Sequence, residues 1–158
     1  MDITSNLQVE DLNARYAFAI DGDDLEAWPE FFTEHGRYRI TTAENVARGL
    51  PLGLVHATSR AMLRDRVRSL RDANVYEAQR YRHVMSPPLV TATGEGVALA
   101  RTSFMVARIM HTGETMLFAT GVYEDRIVLD ADVGEPRFIE KIVVLDSRLI
   151  DTLLAIPL

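Results

Sequence analysis

The spacing of apolar and polar positions divides the chain into a helical front and a stranded back. Val9, Leu12, Tyr16, Ala19 and Ile20 recur at helical spacing. They predict a first helix starting at Ser5, with Ser5 and Gln8 at capping-box spacing, and ending at Asp21-Gly22-Asp23. Asp23 is placed to cap a second helix carrying Leu25, Trp28, Phe31 and Phe32, which Pro29 keeps short. After Gly36 the period falls to two: Tyr38 and Ile40 alternate with Arg37, Arg39 and Thr41, the pattern of a strand. Gly49, Pro51 and Gly53 mark residues 43–53 as loop, followed by a brief strand at 54–56. Thr58 can cap a long helix to about Ala73, with Met62, Leu63, Val67 and Leu70 on its apolar stripe.

From Arg80 onward, alternating runs at 80–92, 97–110, 115–129 and 137–145 predict strands. Turn-rich segments at 93–96 and 111–114 and a longer loop at 130–136 separate them. Helices first and an antiparallel meander second describe an α+β domain, a curved cone-shaped sheet, mixed or antiparallel, wrapped around N-terminal helices. Such a cone commonly encloses an apolar pocket. No repeat or linker interrupts residues 1–158, so a single domain is expected. The last stretch, LDSRLIDTLLAIPL (145–158), stays apolar through Leu149, Ile150, Leu153, Leu154, Ile156 and Leu158. Exposing such side chains forgoes roughly 1.5–3 kcal/mol each. Asp146 and Arg148 are expected to anchor a turn, after which the tail packs across the sheet onto a neighbouring subunit.

Composition narrows the function. No run approaches the ~20 apolar residues of a membrane span, and MDITSNLQVEDL lacks a secretory signal pattern, which together predict a cytoplasmic protein. A net charge of −6 argues against a nucleic-acid partner. With no cysteine, the chain has no disulfide, thiolate metal site or cysteine nucleophile.

Four histidines carry the remaining candidate chemistry. His35 and His111 fall at turns, and His56 precedes the Thr58 cap; no pair has the close spacing of a metal motif. His83, in RYRHVMS (80–86), shares a strand face with Tyr81, opposite Arg80, Arg82 and Val84. Facing the cone interior it can serve as a general base, given Asp21 to orient it and Tyr16 or Tyr38 to complete the constellation. Alternatively Tyr81 and His83 face a subunit interface or hydrogen-bond within the core. Arg60, Arg64, Arg66, Arg68 and Arg71 crowd the long helix, but Asp65 and Asp72 interleave, which favours a solvated or subunit-facing surface over a phosphate site. Neither a phosphate loop nor a nucleophile elbow occurs.

YEAQRYRHVMS (76–86), GVYEDRIV (121–128) and IEKIVVLDSRLIDTLLAIPL (139–158) together resemble the small, or beta, subunit of Rieske-type aromatic-ring-hydroxylating dioxygenases. LNARYAFAIDGDDLEAWPEFFTEHGRYRI also fits that family, and SFMVARIMHTGETMLFATGVYED (103–125) looks most like the terephthalate, anthranilate, halobenzoate and salicylate group. The resemblance implies the cone fold of nuclear transport factor and SnoaL-like proteins. It implies a structural, non-catalytic subunit in a hexamer of three large and three small chains, served by a reductase or ferredoxin. It places the 2Fe–2S Rieske cluster and the mononuclear Fe(II) in the large subunit, and assigns no catalytic, metal or cofactor residue here. A Rieske centre needs two cysteines, which this chain lacks. The expected subunit interface is Arg80, Tyr81, Arg82, His83, Asp146, Ser147, Arg148, Leu149, Leu153, Ile156, Pro157 and Leu158. A second reading is a stand-alone dehydratase or isomerase using His83 and Asp21 as acid–base pair. A third is a non-catalytic binder of small molecules.

Overall fold

The computed structural model describes residues 3–51, 53–73, 78–129, 134–149 and 156–158. Helix α1 (Ile3–Asp21) is already formed at Ile3, so Ser5 lies inside it and is not its cap. It buries Val9, Leu12, Tyr16 and Ile20, the predicted stripe. Asp23, in the left-handed region at φ 61°, turns the chain away. The predicted second helix contracts to a 3-10 turn, Trp28–Phe31, because Pro29 offers no backbone N–H for a longer ladder.

Strand β1 (Phe32–Thr42) starts earlier than the alternation suggests. Its register with β7 breaks between Phe32 and Arg37, and that bulge hides the period at its start. The expected loop at 43–53 contains a short helix α2 (Ala43–Ala47), whose cap is Thr42, accepting the Asn45 N–H at 3.2 Å. After β2 (Val55–Ala57), α3 spans Arg60–Ala73 and buries Leu63 and Val67. Its first turn is capped by Ser59, which accepts the Met62 N–H at 3.2 Å, rather than by Thr58.

The strand expected at 80–92 is two strands, β3 (Gln79–Met85) and β4 (Leu89–Gly94). Ser86-Pro87-Pro88 separates them, since neither proline can donate to a ladder. Both pair with β5 (Val97–Met110), at its opposite ends. Strands β6 (Thr115–Val128) and β7 (Arg137–Leu145) complete a sheet of order β2-β1-β7-β6-β5-β3. Every pairing is antiparallel except β1 with β7, which is parallel, so the sheet is mixed. Register shifts in β5–β6 and β6–β7 bend it, as β-bulges do. Along β5, Ala98, Ala100, Thr102, Phe104 and Val106 are buried while Leu99, Arg101, Ser103 and Met105 point outward. The concave face thus closes over α1 and the Trp28 turn. Ile156, Pro157 and Leu158 are buried in that same interior.

Candidate functional site

Polar groups inside the cone come from both helical and strand elements. Asp21, the last residue of α1, meets His83 at the middle of β3. Asp21 Oδ1 lies 2.6 Å from His83 Nδ1, and Oδ2 accepts the His83 backbone N–H at 2.8 Å. Two contacts from one carboxylate fix the ring's orientation. His83 Nε2 is buried and has no hydrogen-bond partner among the described residues. An imidazole so held presents one free nitrogen to the interior, the arrangement expected for a general base.

Tyr16 from α1 and Tyr38 from β1 converge on the other side. Both are fully buried, and their hydroxyls donate to the backbone oxygen of Leu158 at 2.8 and 3.0 Å. Tyr38 also accepts the Leu158 N–H at 3.0 Å, and Trp28 Nε1 donates to the Tyr16 hydroxyl at 3.2 Å. Burial holds both phenols well above their ordinary pKa, so they remain hydrogen-bond donors. A pair of phenols that could polarise a substrate carbonyl is thus engaged by the chain itself.

Between these groups lies an ion pair. Lys141 Nζ on β7 contacts Asp125 Oδ2 on β6 at 3.1 Å, and neither side chain has exposed surface. The ammonium also sits 3.7 Å from the Tyr123 ring centroid, 4.3 Å from Phe138 and 4.7 Å from Tyr16. Burial pushes the Asp125 carboxyl up to about 6 and draws Lys141 below its ordinary value. Asp125 and Lys141 were not anticipated from sequence. The signal was present: both fall on the inward phase of their strands, directly opposite each other.

Of the residues expected at a subunit interface, Arg80, Arg82, Asp146, Ser147, Arg148 and Leu149 are exposed, Leu149 to 82%. Tyr81 and His83 are instead buried on the concave face, because strand alternation turns them inward with Phe104 and Val106 of β5. Ile156, Pro157 and Leu158 likewise fill their own cone, where two hydroxyls hold the final backbone groups. Leu153 lies outside the described residues. The helix arginines meet partners within the chain: Arg64 reaches Glu30 at 2.6 Å, and Arg71 reaches Glu26 and Asp23. His35 and His56 are exposed. Among the described residues no group of three His, Asp or Glu side chains is placed to hold a metal.

The outer sheet face carries an apolar patch. Val84 of β3 stands opposite Met105 of β5, and Leu117 of β6 lies nearby, opposite Ala107. Val84 is 57% and Leu117 63% exposed.

Residues 1–133 match the SnoaL-like domain family. A crystal structure from Novosphingobium aromaticivorans, described as the beta subunit of an aromatic-ring-hydroxylating dioxygenase, superposes with a TM-score of 0.89 at 32% identity, over 98% of this chain and 97% of that one. The beta 1 subunit of the terminal oxygenase component of a Comamonas terephthalate 1,2-dioxygenase is 46% identical over 155 residues, covering 98% of this chain and 99% of the relative. The chain belongs to the dioxygenase small-subunit family. The small subunit of anthranilate 1,2-dioxygenase from Burkholderia cepacia is a further relative, 39% identical over 157 residues, 99% of this chain and 96% of the other. Family membership also accounts for the cone fold read from the order of elements, and it sets this chain among the small subunits of oxygenases.

Proposed function

We propose that this small subunit is the structural, non-catalytic partner of an iron-bearing large subunit in a cytoplasmic oxygenase that hydroxylates an aromatic carboxylate. The observation that carries this reading is the 46% identity to a terephthalate dioxygenase beta subunit across the length of both chains. Three large and three small subunits form the assembly, which a reductase or ferredoxin supplies with electrons. The Rieske cluster and the mononuclear iron belong to the large subunit, in keeping with a chain that has no cysteine. No described helix is long and apolar enough to cross a membrane, which suits this setting.

Assembly is the work of the outer surface. The Val84–Met105–Leu117 patch supplies apolar area, and the exposed Arg80, Arg82, Asp146, Ser147, Arg148 and Leu149 set register around it. Tyr81, His83 and Ile156–Leu158 contribute indirectly, by shaping the cone on which that surface rests.

The test is to express the chain with its large subunit and measure subunit ratio, iron content and turnover. One-to-one recovery is expected, with red-brown absorbance following the large chain. Replacing Val84 and Met105 together with Glu should reduce co-purification at least tenfold while leaving the isolated chain folded. In the complex, His83→Ala should leave turnover per iron mostly intact. Abolished turnover in a correctly assembled, iron-replete His83→Ala complex would instead favour an acid–base role for the Asp21–His83 pair.

A further inference from the structure

Leu158 is buried in the cone interior, its backbone held by the hydroxyls of Tyr16 and Tyr38. An indole N–H only donates, so the Tyr16 oxygen must accept from Trp28 and its single proton is directed at the Leu158 backbone oxygen. Tyr38 is oriented in the same way, accepting the Leu158 N–H while donating to the same oxygen. Half-buried Arg66 on α3 bears its positive charge on the Tyr38 hydroxyl. Aromatic rings wall the place: Trp28 lies 5.1 Å from Tyr38, and Phe138 and Phe32 lie 5.5 and 6.5 Å from Tyr16. Two hydroxyl donors meeting at one sp² oxygen, one of them facing the Arg66 charge, among flat rings, match the chemistry of an aromatic acid.

A cavity borders the same segment. Asp21, Gly22, Asp23, Gln79 and Arg80 line a space of about 400 Å³, and Ile156 forms part of its wall. Ile156 also belongs to the buried core, so a single short segment borders the cavity and supplies the atoms held by both tyrosines.

We propose that Ile156–Leu158 is a displaceable plug in a binding site for a compact aromatic carboxylate. The carboxylate takes the position of the Leu158 backbone oxygen between Tyr16 and Tyr38, and the ring takes the space of the Leu158 side chain. Every residue of this site comes from the small subunit itself.

The experiment compares the full chain with a variant lacking Ile156–Leu158, each titrated with benzoate, acetophenone and toluene. Binding is read by calorimetry and by emission from Trp28, the sole tryptophan. The shortened chain should bind benzoate saturably and at least tenfold more tightly than the full chain does. Adding Tyr16→Phe and Tyr38→Phe to the shortened chain should remove at least tenfold of that affinity, and acetophenone and toluene should bind more weakly than benzoate. Three results overturn the proposal: no saturable benzoate binding by a cooperatively melting deletion variant, affinity indifferent to the two Phe substitutions, or acetophenone binding as tightly as benzoate. If the deletion variant does not fold, Leu158→Gly in the full chain decides the matter by NMR. Benzoate should then move the amide signals of positions 156 and 158 to those of a free segment at concentrations that leave the unsubstituted chain unchanged. Signals that stay in place would overturn the proposal equally.

Discussion

Lys141 has no exposed surface, and the cost of removing its charge from water, several kcal/mol, is offset by Asp125 and three ring faces. Replacing one partner leaves the other buried and uncompensated. Asp125→Asn should therefore cost about 3–5 kcal/mol in urea unfolding, while Asp125→Asn with Lys141→Met recovers most of it. The pair also gives stability a defined pH dependence. The folded carboxyl titrates near 6, against about 4 for an unfolded aspartate. Between those values the folded chain holds a proton that the unfolded chain has released, so stability falls as pH rises through the window. Lys141, drawn down by burial, works in the opposite sense on the alkaline side, where stability rises toward the ordinary lysine pKa. Urea midpoints measured from pH 4 to 6 should decline in the native chain and stay flatter in the double variant. The Asp21–His83 contact was legible in the sequence because a helix end and an inward strand position could be matched. Lys141 was not, since reading by apolar alternation assigns charged residues to the outside.

Among the elements, β5 and β7 occupy the residues predicted for them, 97–110 and 137–145, and along β5 one face is solvated, so the period stays clear. The period was less informative where the backbone departs from it. The bulge after Phe32 masked the start of β1, and two prolines divided what looked like one strand into β3 and β4. The residues that hold α3 in place were also hidden from local pattern. Arg71 donates to Glu26 Oε1 and Oε2 at 2.8 and 2.9 Å, across a sequence separation of 45 residues. Hydrogen bonding by Arg71 lowers the Glu26 carboxyl to about 2. A depressed folded pKa means that the contribution is complete above the ordinary glutamate value and is lost as pH falls toward 2. The pair is largely solvated, so Arg71→Ala should cost less than about 1 kcal/mol at neutral pH. That difference should shrink in high salt and disappear near pH 2, as measured by thermal melts.

At the scale of the whole molecule, the sheet depends on one long-range closure, the parallel pairing of β1 with β7. Parallel neighbours need a crossover, and here the crossover contains every element from α2 through β6. The fold class was legible because helices precede a run of hairpins. The parallel closure was not, since alternation identifies strands without naming their neighbours. For a chain emerging from the ribosome, β1 waits until everything from α2 through β6 has been made before its β7 neighbour appears. Until then Tyr38 and Ile40 lack their cover, and a nascent chain ending at Leu129 should show no cooperative melt and should bind hydrophobic dye. Closure of the sheet by β7 thus acts as the timekeeper of when the outer surface first becomes available to another protein.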